Sequence, residues 1–186
     1  MSAAEAQTLR DMTLTINAFF GWDFNSCEAL RSQGRWVPID FANPCPDSQV
    51  TSLHYHFPWL IKANIRWSVF CATTKRAMRV NLDWQPFFDA CIPGMTVEER
   101  VRACGAIAKQ RLDTERFHEF CHSHLGHLDD VADEFFGGES AREAVHKKVA
   151  SLYPEHEIEE FTNLFVERIQ RARAEEPPHT VSILAS

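Results

Sequence analysis

The hydrophobic pattern predicts an amphipathic helix at the start of the chain, over residues 3–20. Its apolar residues recur at three- and four-residue spacing, as on one face of a helix: Leu9, Met12, Ile16 and Phe19. Gly21 follows and predicts the end of this helix, because glycine readily adopts the left-handed conformation found there. Capping residues at 23–26 precede a second apolar stretch, so we predict a second helix that ends at Gly34.

The strongest strand signal is a period of two over residues 65–84. Apolar residues occupy alternate positions in two segments, which are Ile65, Trp67, Val69 and Cys71, then Met78, Val80, Leu82 and Trp84. Residues 72–77 are polar and short enough to join an antiparallel pair, so the pattern predicts a hairpin with one buried and one wetter face. Residues 36–39 are a candidate third strand. The two N-terminal helices are expected to cover the apolar face, because an isolated hairpin is marginally stable in water.

Beyond Pro93 and Gly94 the pattern is helical. Four segments carry apolar residues at helical spacing: a helix from Thr96, a long helix over residues 111–136, a helix after Gly138 and a last helix that Pro154 can start. The loops between these segments are short. The C-terminal part is therefore predicted to be an antiparallel helix bundle.

These elements together predict an α+β, mainly helical fold. Residues 1–93 are expected to form a small N-terminal lobe with a short antiparallel sheet, like a winged helix, and residues 94–175 a C-terminal antiparallel helix bundle. A length of 186 residues fits one domain or two small lobes that share a core. Pro177 and Pro178 predict that residues 176–186 are a flexible tail.

Composition and charge narrow the class of partner. The formal charge of −7 argues against a nucleic-acid partner, because affinity for nucleic acid depends largely on Lys and Arg side chains. No signal-peptide pattern and no run of about 20 apolar residues is present, so we expect a cytoplasmic protein without a membrane partner. The six cysteines are scattered singly, and in a reducing compartment we expect most of them to be small buried apolar residues.

A histidine-rich segment contains the one motif that suggests catalysis. His118-Glu119-x-x-His122 has the spacing of zinc proteases, in which two histidines bind zinc and the glutamate acts as a general base. On a helix, however, both histidines fall opposite the apolar stripe, and Leu128 stands where the longer protease signature has its third histidine. We therefore assign no metal ligand and no catalytic residue, and a zinc-dependent hydrolase that uses this segment is the alternative function.

Aromatic residues instead suggest a binding surface, because they bring large contact area at low entropic cost. The predicted partner interface consists of Trp22, Trp59, Trp84, Phe87 and Phe88. An extended peptide could also add to an exposed edge of the predicted hairpin through main-chain hydrogen bonds. The predicted peptide-binding residues lie along that hairpin and are Arg66, Ser68, Phe70, Lys75, Arg76, Arg79, Asn81 and Asp83.

Several short segments resemble the family of the methanobactin biosynthesis protein MbnC. They are Gly34-Arg35-Trp36-Val37, His56-Phe57-Pro58-Trp59-Leu60, Asn64-Ile65-Arg66-Trp67, Asp83-Trp84-Gln85-Pro86-Phe87-Phe88 and Tyr153-Pro154-Glu155-His156-Glu157. The resemblance implies a non-catalytic subunit that helps to bind the leader peptide and that pairs with MbnB, an iron-containing TIM-barrel oxidase. Such pairs use oxygen to convert cysteines of a ribosomally made precursor peptide into oxazolone and thioamide groups, which later bind copper. It also implies iron in the partner subunit and no cofactor in this chain. A purely structural helical adaptor remains a third possibility.

Overall fold

The computed structural model describes residues 1–78 and 82–175. Its helices and strands, in chain order, are α1 Ala3–Phe20, β1 Ser26–Ser32, β2 Arg35–Asn43, α2 Val50–Leu53, α3 Phe57–Thr74, α4 Gln85–Asp89, α5 Val97–Leu112, α6 Thr114–His124, α7 Leu128–Gly137, α8 Glu139–Ala150 and α9 Ile158–Glu175. Single turns of 3-10 helix lie at His54–His56 and Glu155–Glu157. Helices make up 69% of the chain beside one two-stranded antiparallel sheet, so the prediction of an α+β, mainly helical fold is confirmed.

The chain divides into two compact units. Of the described residues, the first unit contains 1–46, 77–78 and 82–116, and the second contains 47–76 and 117–175. Each unit therefore combines segments from both sides of residue 93. The predicted lobes of residues 1–93 and 94–175, and the tail at 176–186, stay predictions, and the tail lies outside the described residues.

Helix α1 begins and ends where its sequence predicts. The Ser2 hydroxyl accepts a hydrogen bond from the Glu5 backbone N–H, and the Glu5 carboxylate accepts one from the Ser2 backbone N–H at 2.8 Å, which is a capping box. Gly21 takes the left-handed conformation at φ 70° and donates its N–H to the Asn17 carbonyl. The predicted helix over residues 3–20 is confirmed.

The second predicted helix is wrong, because residues 26–32 form strand β1. This strand pairs with β2 in antiparallel register, and Ser32 lies opposite Arg35 across a two-residue loop. Both loop residues have positive φ, 49° at Gln33 and 79° at Gly34, as a type I′ turn requires. Gly34 therefore serves as a hairpin turn and not as a helix end. The candidate strand at residues 36–39 is confirmed as part of β2.

The predicted hairpin over residues 65–84 is also wrong. Ile65 to Cys71 lie within α3, which has Pro58 in its first turn, where the missing N–H costs no hydrogen bond. Ile65, predicted on the buried face, is 41% exposed, whereas Phe70, predicted on the wetter face, is 1% exposed. The alternating apolar residues over 65–71 are therefore compatible with a helix whose buried side includes Phe70. The described residues 82–84 of the second predicted strand form no strand, and residues 79–81 lie outside the described ranges.

The C-terminal part is helical as predicted, with one difference. Helix α5 starts after Thr96, which forms a capping box with Glu99. The single helix predicted over residues 111–136 is instead the end of α5 followed by two helices, α6 and α7, which are separated near Gly126. In the second unit α8 and α9 pack together around a core of Val50, Phe136, Ala141, Val145, Val149, Phe165 and Ile169.

In the first unit α1 packs along α5 around a core of Ala18, Phe87, Cys104, Ala108 and Leu112. This contact also buries a carboxylate, because Asp11 is almost fully enclosed. Its Oδ1 lies 2.9 Å from Lys109 Nζ and accepts a hydrogen bond from Gln7 Nε2 at 2.8 Å. The ion pair satisfies a charge that would be costly to bury alone.

Gly105 lets α1 approach α5 closely, because it has no side chain on the surface that faces Asp11. A Cβ added at residue 105 would lie 2.7 Å from the Asp11 Cβ, closer than side-chain atoms can come. Gly105→Ala is therefore expected to lower the free energy of unfolding by about 1–2 kcal/mol, after the better helix propensity of alanine is counted. Urea unfolding measures this. Gly126→Ala is the control, because its Cβ would make only an ordinary contact with the His122 carbonyl oxygen at 3.5 Å. Equal stability of the two variants would contradict the prediction.

Within residues 1–78 and 82–175, the structure contains no helix with the length and apolar character that a bilayer crossing requires.

Candidate peptide-binding surface

The base of the hairpin is fixed to α1 by Asn25. The Asn25 side-chain amide donates to Asn17 Oδ1 at 3.0 Å and to the Phe41 carbonyl at 2.9 Å. Its Oδ1 accepts a hydrogen bond from the Asn43 backbone N–H at 3.0 Å. One asparagine therefore holds α1 and β2 together at the point where β1 begins.

One face of the hairpin contacts α1, through side chains at alternate positions of β1. The Cys27 thiol is hydrogen-bonded to Thr13, and burial raises the pKa of this thiol. Four residues further along, the Arg31 guanidinium lies 3.1 Å from the Glu5 carboxylate. Since side chains alternate between the faces of a strand, Leu30 belongs to the opposite face.

That opposite face is open to solvent and carries an apolar pair between charged and polar neighbours, since Glu28 and Asp40 lie on one side of the pair and Ser32 and Arg35 on the other. Leu30 lies directly across from Val37, and both side chains are exposed. Ile39, at an irregularity in the register of β2, is exposed as well. The hairpin therefore presents apolar side chains to solvent next to its strand edges.

The two outer edges of the hairpin differ in hydrogen-bonding capacity. In a hairpin with a two-residue loop, the residue pair that closes the loop is hydrogen-bonded across the strands. The next pair, and every second pair after it, points its N–H and C=O groups toward the outer edges. Counting from Ser32 and Arg35, the outward residues are Ala29 and Arg31 on β1 and, opposite them on β2, Pro38 and Trp36. Proline has no N–H, so the outer edge of β2 lacks a donor at that position. The outer edge of β1 keeps its outward donors at Ala29 and Arg31.

An aromatic surface lies in the same unit and consists of Phe19, Phe20, Trp22, Trp84 and Phe88, with Phe87 beneath it. The Phe19 ring is at its centre: it stacks on Trp84 at 5.2 Å between centroids and also contacts Phe20, Phe87 and Phe88. Trp84 Nε1–H donates to the Phe19 carbonyl at 2.8 Å. Phe20 stacks in turn on Trp22 at 4.7 Å.

Two members of the aromatic surface are well exposed, and the Phe87 ring beneath it is not. Phe88 is 61% exposed and Trp84 is 45% exposed, whereas Phe87 is buried in the core of the unit. The Arg111 guanidinium lies over the Phe87 ring, 4.6 Å from its centroid, and donates to the Asp83 carbonyl. These contacts fix the segment that carries Trp84 and Phe88 while leaving both rings accessible.

The structure brings together four of the five residues of the predicted partner interface. Trp22, Trp84 and Phe88 belong to the aromatic surface, Phe87 lies beneath it in the core and is not accessible to a partner, and the exposed Trp59 lies on α3 in the other unit. Phe19, which the predicted set omits, is the ring that joins them. The aromatic run at residues 19–24 was the available signal for it.

The predicted peptide-binding residues do not line a strand edge, because residues 65–71 are helical. The Arg66 guanidinium lies 2.8 Å from Asp129 in a largely buried ion pair, and Phe70 is a core residue. Arg76 lies over the Trp67 ring at 5.1 Å. The remaining members are spread over different environments: Ser68, Lys75 and Asp83 are exposed, and Arg79 and Asn81 lie outside the described residues.

The histidine-rich segment lies on α6. Glu119 and His122 are exposed, and His118 is half-buried with its ring 5.4 Å from the Phe117 ring. Over the described ranges, 1–78 and 82–175, no three His, Cys, Asp or Glu side chains come together as possible metal ligands. No observed contact favours the zinc hydrolase.

The second unit contains a cavity that the sequence did not suggest. Its volume is about 330 Å³, and its wall is formed mainly by apolar side chains of α2, α3, α7 and α8, among them Val50, Phe57, Phe136 and Val145. Lys148 and Gln49 are among its polar lining residues. Its lining comes from four separate segments, which explains why no local pattern predicted it.

No protein-family model, curated protein or solved structure matches this chain.

Proposed function

We propose that this chain is a non-catalytic peptide-binding subunit, which takes up an extended peptide along the outer edge of β1. The observation that carries the proposal is the difference between the two edges of the hairpin: β1 has outward-facing backbone donors at Ala29 and Arg31, whereas β2 has one at Trp36 and none at Pro38. Main-chain hydrogen bonds of an added strand supply affinity without regard to sequence, and side-chain contacts supply selectivity.

The surroundings of the edge support an amphipathic extended peptide. Leu30 and Val37 offer exposed apolar contacts on the face away from α1. A bound strand would place every second side chain on that same face. An apolar peptide residue beside Leu30 would therefore be selected, and the residues on either side of it would face the side on which Arg31 and Glu5 form their ion pair.

The resemblance to the MbnC family suggests the wider role. On this proposal the chain is the partner of an MbnB-like iron-dependent TIM-barrel oxidase, and the pair modifies cysteines of a precursor peptide to oxazolone and thioamide groups. The iron belongs to the partner subunit and supplies the oxygen chemistry. This chain contributes the position of the peptide, because fixed geometry lowers the entropic part of a reaction barrier. The aromatic surface is the proposed contact with the oxidase.

Proline substitution on β1 tests the edge directly. Arg31→Pro removes an outward N–H while leaving the bonds between β1 and β2 in place, so we expect at least a roughly tenfold loss of affinity for the leader peptide of a methanobactin precursor. Arg31→Ala is the matched control, because it loses the same ion pair with Glu5 but keeps the N–H. Calorimetry measures the affinity, and circular dichroism checks the fold. Equal affinity of the two folded variants would overturn binding at this edge.

A further inference from the structure

Two of the six cysteines lie side by side in the first unit. Cys91 follows α4, Cys104 lies on α5, and their Sγ atoms are 3.6 Å apart. A disulfide needs the two sulfurs at about 2 Å, which a small side-chain rotation at each residue can provide. The expectation that most of the cysteines are small buried apolar residues therefore does not describe this pair.

The two thiols differ in their access to solvent. Cys104 is buried, and its Sγ also lies 3.8 Å from the Phe87 carbonyl oxygen. Cys91 is only half-buried and packs against the same core. A small oxidant would therefore reach Cys91 first, and Cys104 is placed to react with whatever forms there.

We propose that Cys91 and Cys104 are a redox modification site, which hydrogen peroxide converts to a reversible disulfide. The Cys91 sulfur attacks one peroxide oxygen, the O–O bond breaks, and water leaves after Cys91 has become a sulfenic acid. The Cys104 sulfur then attacks Cys91 Sγ, the S–O bond breaks and a second water leaves. Two thiols are oxidised, one peroxide is reduced, and a dithiol reductant restores the starting state.

The disulfide would connect the aromatic surface to α5 covalently. The segment that ends at Cys91 carries Trp84 and Phe88, and it is otherwise held to α5 by the packing of Phe87 and by Arg111. Oxidation would close a chain segment of modest length between residues 91 and 104. Such a link restricts local opening of α4.

The pH dependence of the second step follows from the environment of Cys104. Burial, with the neighbouring Cys91 as a further cause, raises the pKa of Cys104 to about 11. Since a thiolate is the nucleophile, closure at neutral pH depends on a small deprotonated fraction of Cys104, and the rate of closure should rise as the pH is raised. The Cys104 Sγ lies 3.6 Å from Cys91 Sγ and 3.8 Å from the Phe87 carbonyl oxygen.

Treatment of the purified full chain with hydrogen peroxide tests the proposal. We expect the thiols of Cys91 and Cys104 to be lost to alkylation in denaturant and a crosslinked peptide to join residues 91 and 104, with a mass two hydrogen atoms below that of the two reduced peptides. Cys104→Ala should stop at a sulfenic acid on Cys91 that dimedone traps. Cys71→Ala, which removes a half-buried thiol of the other unit, should leave the crosslink intact. Amide exchange over α4 should slow by at least severalfold after oxidation.

Two results would overturn the proposal: peroxide treatment that leaves both thiols reduced between pH 7 and 9, or a crosslink that joins a different pair. The assay needs neither peptide nor oxidase. Its outcome is therefore independent of the proposed peptide-binding role.

Discussion

Phe70→Ala is expected to lower the free energy of unfolding by about 3–5 kcal/mol, the range for removing a fully buried aromatic ring. The Phe70 side chain is 1% exposed and contacts Trp67 on its own helix and Phe117 and Phe120 on α6. Alanine would leave a cavity among three rings, which pack edge to face or tilted and cannot readily collapse into it. In a chain of this size, such a loss is a large part of the total stability.

Ile65→Ala on the same helix is the matched control. Ile65 is 41% exposed, so its truncation should cost well under about 1 kcal/mol. Phe70→Leu keeps most of the volume and should fall between the two. Chemical denaturation monitored by circular dichroism gives all three values. The predicted hairpin over residues 65–84 would require the opposite order, with Ile65 costly and Phe70 tolerant, and that order would contradict the helix.

Helix boundaries were predictable where the signals are local. The capping boxes at Ser2 and Thr96 and the C-terminal Gly21 satisfy helix-end groups within a few residues, so tertiary contacts do not alter them. The break at Gly126 was missed, because one apolar stripe runs across both α6 and α7. Nothing in that stripe marks where the hydrogen-bonding pattern stops.

The sheet was predicted in the wrong place for two different reasons. In α3 the apolar residues are so dense that they fit a period of two as well as a helical period, and only the contacts of Phe70 with α6 decide between them. In β1 the capping residues at 23–26 favoured a helix. The turn is formed by Gln33 and Gly34, and glutamine is an uncommon residue for a positive φ, so the usual hairpin signal was weak.

The density of aromatic residues in the sequence indicated an aromatic surface but not which residues form it. Aromatic residues near positions 20 and 85 meet through Phe19, and their contact depends on α1, α4 and α5 packing together. Trp59 has the same composition signal but belongs to the other unit. The outer edge of β1 could not be predicted, since it depends on the register that places Pro38 opposite Ala29.

Phe88→Ala is expected to weaken the proposed complex with an MbnB-like oxidase by about 30-fold or more, the effect of removing a central aromatic residue from an interface. Phe88 is 61% exposed, and its ring centroid lies 6.0 Å from that of Phe19. Because most of this side chain is in solvent, its loss should leave the fold intact. Trp84→Ala should weaken the complex at least as much, with some loss of stability, because Trp84 also stacks on Phe19 and donates to its carbonyl.

The measurement is co-purification of the oxidase with each variant, followed by titration of the purified proteins at micromolar concentration. Leu152→Ala is the control, because Leu152 is a comparably exposed apolar residue in the other unit. A stable heterodimer with the wild-type chain and with Leu152→Ala, but not with Phe88→Ala, would support the aromatic surface as the contact. If the wild-type chain and the oxidase elute separately, the partnership itself fails. If all variants bind alike, the oxidase contacts another part of the chain, and the exposure of Trp84 and Phe88 needs a different explanation.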